Sequence, residues 1–124
     1  MSSPRTVVIT GCSSGFGRAT ALHLARQGWH VFATVRKESD GAGLLAEAAA
    51  PAGGGAGRLA PVICDVTDAG QVRKLAETVT AATPRLEGLV NNAGTAFPAP
   101  LELLALDDLR AQLEVNVVGQ LGER

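Results

Sequence analysis

The segment Val7-Val8-Ile9-Thr10-Gly11-Cys12-Ser13-Ser14-Gly15-Phe16-Gly17 decides the fold. A run of β-branched residues ends in Thr-Gly. Three small residues follow, two further glycines bracket one hydrophobic residue, and a helical apolar spacing begins at once. A strand, a glycine turn and a helix in that order suit a phosphate held at a helix N-terminus, because the unpaired N–H groups and the positive end of the helix dipole face the anion. In such a turn Gly11 permits a bend that a side chain blocks, Gly15 lets the backbone approach a pyrophosphate, and Gly17 lets the helix pack close to the sheet. Ser13 and Ser14 add hydroxyl donors. A glycine motif alone equally fits a plain strand–helix turn; its place in the first βαβ unit raises it above that.

Outward from this segment, Thr6–Thr10 reads as a buried strand. Phe16, Ala19, Leu22 and Ala25 recur at helical spacing and predict a helix to Gln27, closed by Gly28. His30–Val35 is a second strand. Ser39 to Ala50 is a second helix, weakened at its start by Gly41 and Gly43, and Pro51 to Gly57 is a surface loop with no assigned function. Leu59–Cys64 is a third strand whose Pro61 suits a sheet edge. A third helix runs from Asp68 to Ala82, with Thr67 or Asp68 as N-cap and an apolar face of Val72, Leu75, Ala76 and Val79. Leu86–Val90 is a fourth strand and 95–100 a loop. The last helix, Asp107 to Val118, sets Asp107 and Asp108 in its first turn against the positive helix end. The alternation βαβαβαβα makes the strands parallel. Right-handed crossovers then give a Rossmann-type, doubly wound α/β sheet of order 3-2-1-4, without the later strands of the complete fold.

The bulk properties agree. A chain of 124 residues has room for one domain, 1–124. Hydrophobic residues make up 46% and aromatics only 3%, so the core is built from Ala, Val, Leu and Ile. Eleven basic against 12 acidic residues leave a net charge of −1, which gives no reason to expect nucleic acid or an anionic membrane as partner. No apolar stretch reaches the ~18 residues needed to span a bilayer, and Met1–Thr6 is short and polar, so a cytoplasmic protein is expected. Cys12 and Cys64 read as buried or incidental thiols, and no metal site is expected.

Four segments carry a family resemblance. Thr10-Gly11-x-x-x-Gly15-x-Gly17 resembles the signature of the short-chain dehydrogenase/reductase family. Cys64-Asp65-Val66-Thr67-Asp68 is similar to the end of that family's third strand, and Leu89-Val90-Asn91-Asn92-Ala93-Gly94 to its fourth-strand motif. Asn116-Val117-Val118-Gly119 is similar to the helix that carries its catalytic asparagine. The resemblance covers the chain from Thr6 to Gly119. The Gly-Cys-Ser-Ser-Gly-Phe-Gly and Phe32-Ala33-Thr34-Val35-Arg36 segments resemble most the hydroxysteroid and retinol dehydrogenase branch.

The resemblance implies an NAD(P)-dependent oxidoreductase that transfers a hydride between a nicotinamide cofactor and a carbonyl or secondary alcohol. It implies that Gly11 and the run Ser13, Ser14, Gly15, Phe16 and Gly17 wrap the pyrophosphate. Asp65 would accept from the adenine amino group and Val66 would meet the ring through its backbone. Asn92, Ala93 and Gly94 would line the adenosine ribose while Asn91 fixes the strand. Asn116 would hold a water in the proton relay. Read without the family, Asp65 is equally a strand-end cap, Asn91-Asn92 a turn signal, and Asn116 the least helical residue of its neighbourhood.

The second strand ends Thr34-Val35-Arg36-Lys37 with no acid at its tip, where NAD-binding chains place one about 20 residues past the glycine turn. A carboxylate there repels a 2′-phosphate; Arg36 can pair with one bidentately and Lys37 adds charge. NADP(H) is therefore the expected cofactor and NAD(H) a possible one, unless Arg36 and Lys37 are an ordinary solvated pair.

The family's Ser, Tyr and Lys, the last two four apart, lie beyond its asparagine helix. This chain contains no tyrosine. Its lysines are Lys37 and Lys74, and His23 and His30 read as structural or surface residues. The tail Gln120 to Arg124 does not continue an apolar helix. The expectation is a truncated N-terminal part of a longer enzyme, inactive alone. The small-molecule substrate and a homo-oligomeric state would belong to the full-length form. With a fourth strand and a last helix lacking neighbours, marginal stability is expected. Two readings compete: a non-catalytic nucleotide-binding fragment or regulatory remnant, and another Rossmann enzyme such as a methyltransferase, against which Asn91 to Gly94 and the basic strand tip argue.

Overall fold

The computed structural model describes residues 5–48, 58–93 and 105–118. The elements in order are β1 (Thr6–Ile9), α1 (Gly15–Arg26), β2 (His30–Val35), α2 (Glu38–Ala48), β3 (Arg58–Ile63), α3 (Ala69–Ala82), β4 (Gly88–Val90) and α4 (Leu106–Leu113), which passes into a π-helical turn over Glu114–Val118. The four strands form one parallel sheet of order β3-β2-β1-β4, as the alternating pattern predicts. Thr6 stands opposite His30, Val31 opposite Leu59, and Val8 opposite both Phe32 and Leu89.

Successive strand residues point to opposite faces, and each face has its own helices. Val7, Ile9, Val31, Ala33 and Val35 pack under α1 and α2 through Ala21, Leu22, Ala25 and Leu44. Val8, Phe32 and Cys64 pack under α3 through Leu75 and Val79. An Arg18–Glu47 ion pair joins α1 to α2.

Several boundaries differ from the sequence reading for identifiable reasons. β1 stops at Ile9, just before the chain turns at Gly11 (φ +70°), although Thr10 N–H still donates to the Val90 carbonyl (3.1 Å). Phe16 and Ala19 are not on the buried face of α1. That face is Gly17, Ala21, Leu22 and Ala25, and Phe16 is 86% exposed. Pro61 sits inside β3 rather than near its start, which is permitted because β3 is an edge strand paired only to β2. Asp68, not Thr67, caps α3: its Oδ1 accepts from the N–H groups of Gly70 (2.9 Å) and Gln71 (3.2 Å). β4 is three residues long; Glu87 precedes it, binding Thr6 through its N–H (3.0 Å) and through Oε2, which accepts from Thr6 N–H (2.6 Å). The last helix is not continuous α-helix, since its final turn is π-helical.

Candidate cofactor cleft

All four strands point their carboxyl ends to one edge. β1 leads to β2 on one side while β4 lies on the other, so the chain order reverses between β1 and β4. Crevices form at such reversals in open parallel sheets. Here the crevice is a cleft of about 150 Å³. Of the residues singled out in the sequence, Gly11, Ser13, Ser14, Arg36, Asp65, Val66 and Ala93 line it together.

The glycine turn is tied down on both sides. On the β2 side, Thr34 accepts from Gly11 N–H through Oγ1 (3.2 Å), and its carbonyl accepts from Cys12 N–H (2.8 Å). On the β4 side, the Asn92 amide donates to the Gly11 carbonyl (3.1 Å), and the Thr10 hydroxyl accepts from the N–H groups of Asn92 (3.1 Å) and Ala93 (3.0 Å). Gly11 has φ +70°, and a Cβ there would meet the Ala93 Cα at 2.8 Å. At Gly17 a Cβ would lie 2.2 Å from the Gly11 carbonyl oxygen and 2.4 Å from the Asn92 amide nitrogen. The close packing that requires Gly17 is thus against the turn itself, not the sheet surface.

This bracing presents the N-terminus of α1 to the cleft. Its N-cap, Ser14, makes no side-chain capping bond, and the first turn carries no acid, so the N–H groups and the dipole meet no opposing carboxylate of their own helix. Cys12 is fully buried and its Sγ–H donates to the Ile9 carbonyl (3.2 Å). Burial pushes the thiol up to about 12, so it is packing, not a nucleophile at neutral pH. Cys64 is also a buried thiol.

Across the cleft stands Asp65. Its Oδ1 accepts from the Thr67 hydroxyl (2.7 Å) and from Thr67 N–H (2.9 Å). These two bonds, in that order, hold the carboxyl below its ordinary range against a small opposing effect of burial, and the Arg36 charge helps. Arg36 and Lys37 lie exposed at the tip of β2.

The remaining candidates are distributed differently. Gly15, Phe16 and Gly17 shape the turn without lining the cleft, and Asn92 stands behind it as a brace. The fixing assigned to Asn91 is made by Asn92, because the Asn92 amide reaches the turn. Gly94 lies outside the described residues. Asn116 sits in the π-helical turn directly after Val115, which does line the cleft. Thr34 and Val115 were not singled out from sequence. The signal for Thr34 was a polar residue inside an otherwise apolar strand; Val115 had none beyond adjacency to Asn116. His23 is exposed on α1, and His30 opens β2 at the opposite end of the sheet, its ring 4.6 Å from that of Phe32. Among the described residues no cluster of His, Cys, Asp or Glu could hold a metal, and no helix is long and apolar enough to cross a membrane.

The described residues fit a dinucleotide: a braced glycine turn, an open helix N-terminus, a carboxylate and a basic strand tip share one cleft. Known proteins agree with that geometry. A model of the short chain dehydrogenase family matches residues 5–122. Human dehydrogenase/reductase SDR family member 9 is 39% identical over 116 residues, covering 91% of this chain and 34% of that protein. Human retinol dehydrogenase 5 is 38% identical over 119 residues, covering 94% of this chain and 35% of that protein. The solved alcohol dehydrogenase of Thermococcus sibiricus complexed with 5-hydroxy-NADP superposes with a TM-score of 0.87 at 26% identity, over 98% of this chain and 50% of that one. The chain spans about a third of the length of these curated relatives. Sequence and fold together make it a member of the short-chain dehydrogenase/reductase family, corresponding to the N-terminal portion of its relatives.

Proposed function

We propose that residues 1–124 form the NAD(P)-binding Rossmann domain of an oxidoreductase that moves a hydride between NADP(H) and a small-molecule carbonyl or secondary alcohol. The observation that carries this reading is the glycine turn held between Thr34 and Asn92, with α1 opening onto a cleft that Arg36 and Asp65 share. The nicotinamide, when bound, supplies the hydride chemistry. Gly11, Ser13, Ser14, Gly15, Phe16 and Gly17 surround the pyrophosphate, with α1's N–H groups as donors. Asp65 accepts from the adenine amino group, Val66 offers its backbone to the ring, and Asn92, Ala93 and Gly94 stand beside the ribose. Arg36 pairs with the 2′-phosphate. Asn116 holds a water for proton transfer.

Support for NADP(H) over NAD(H) is the absence of any acid at the tip of β2 and the exposed Arg36 and Lys37 there. The Thermococcus sibiricus neighbour, which carries a modified NADP, is consistent with it. A cytoplasmic location and a homo-oligomeric longer enzyme belong to the same reading. A second reading, a nucleotide-binding chain without turnover of its own, is favoured by one observation. The 124 residues contain no tyrosine.

Calorimetric titration with NADPH and NADH tests the proposal. NADPH binds at least about tenfold more tightly, as a charge-assisted bidentate pair implies, and Arg36→Ala removes the preference. Equal or tighter binding of NADH overturns it.

A further inference from the structure

The first turn of α3 departs from its own sequence signature. Asp68-Ala69-Gly70-Gln71 has capping-box spacing, in which the third helical residue reaches back to the N–H of the capping residue. Gln71 does not do so. Asp68 N–H donates instead to the Asp65 carbonyl (3.0 Å), and Gln71 Oε1 reaches past it to accept from Asp65 N–H (2.8 Å). The other end of the same amide, Nε2, donates to Asp68 Oδ2 (3.1 Å), while Asp68 Oδ1 caps the helix.

Asp65 is therefore held at two points. Gln71 fixes its backbone, and Thr67 fills Oδ1 with two donors. Among the described residues Oδ2 has no hydrogen-bond partner, and Asp65 lines the cleft. An ionised carboxylate only accepts hydrogen bonds. Held in one orientation, its remaining oxygen suits an amino donor on a purine ring and opposes a carbonyl at the same ring position.

We propose that Gln71 is a positioning residue for base selectivity, locking Asp65 so that the cleft takes a 6-aminopurine cofactor and rejects a 6-oxopurine one. This rests on the reading that Asp65 meets the adenine amino group. Gln71 touches no cofactor atom; it acts through Asp65.

The test compares calorimetric Kd values for NADPH and for its hypoxanthine analogue, in which a ring carbonyl replaces the amino group. The unmodified chain prefers NADPH by about tenfold or more, the size of a hydrogen bond to a charged group. Gln71→Met, close to isosteric but without either polar end, brings the ratio below about threefold. Gln71→Asn, one methylene too short to span both partners, does the same and carries the test if the Met variant fails to fold.

The ratio separates positioning from general loosening, since a merely structural loss weakens both cofactors alike. A Gln71 variant that weakens both equally and keeps the original ratio overturns the proposal and leaves the Asp65 reading standing. An unmodified chain that binds both cofactors equally overturns the Asp65 reading, and one that binds neither overturns the proposed function; the Gln71 proposal falls in either case.

Discussion

The two halves of the sheet are built to different standards. On the β2–β3 side, every residue of β2 after His30 is buried, and α1 and α2 close over Ile9, Val31, Ala33 and Val35. On the β4 side the strand is three residues long, Leu89 and Val90 are exposed, and α4 leaves Leu106, Leu109, Leu113 and Val117 open to solvent. Yet the glycine turn hangs between the two, braced by Thr34 from the well-packed half and by Asn92 from the thin one. The lesson is that burial does not mark where the chemistry-bearing turn is held. A buried threonine and a half-exposed asparagine share the task, and only the first draws strength from the core.

The largest expected effect breaks the comparison if it is wrong. Leu44→Ala removes a fully buried side chain from the α1–α2 face and destabilises by about 2–5 kcal/mol, whereas Leu113→Ala on α4 changes stability by less than about 0.5 kcal/mol. Urea unfolding of both variants checks this; equal losses would show that the β4 side is packed as firmly as the other.

Next in size is Gly17→Ala. The added Cβ collides with the Gly11 carbonyl, a backbone atom that cannot swing away. Overpacking of this kind costs about 1–3 kcal/mol, and cofactor affinity falls with it because the turn is displaced. Gly43→Ala on exposed α2, where a Cβ meets nothing, is the control and is neutral or stabilising.

The two braces come third. Thr34→Val takes the acceptor of Gly11 N–H out of a fully buried side chain and costs about 1–3 kcal/mol. Asn92→Ala costs about 1 kcal/mol, because water can replace a half-exposed amide. Thermal melts and NADPH titrations of both sharpen the comparison; a larger loss at Asn92 would reverse it.

The smallest effect is on pH. Burial and the Arg58 charge hold the His30 imidazole below its ordinary 6.5. The folded state therefore resists a proton that the unfolded chain accepts, so stability is full above 6.5 and declines as pH falls through and below it. Asp65 is held below its ordinary 3.8, chiefly by the Thr67 hydroxyl, so its contribution is present above 3.8 and is lost on further acidification. Melting temperatures at pH 7.5 and 5.5 show a small drop for the unmodified chain and a smaller one for His30→Gln.

Much of this was legible along the chain. The strand order followed from the alternation of elements, because helical crossovers leave few ways to connect parallel strands. Asp68 stood with Thr67 as one of two candidate caps, and Pro61 declared itself as an edge residue. The spacing of Phe16, Ala19, Leu22 and Ala25 predicts the helix but not which of them are buried, and Phe16 and Ala19 are exposed. Asn91 was given the fixing that Asn92 performs, since adjacent asparagines in a strand end differ only in which way they point. The departure of Gln71 from its capping-box partner was invisible, as the spacing is the same whichever N–H it reaches.

By itself, the sequence determined the fold class and the glycine turn. These depend on periodicity, crossover handedness and glycine's freedom from a Cβ, all properties of short stretches of chain. The tertiary structure alone decided which side chains brace the turn, that Gly17 packs on Gly11 and not on the sheet, and that Asp65 is held from behind by Gln71. Those contacts join residues far apart in the chain, or turn on a side chain's direction, and become definite only when the strands align.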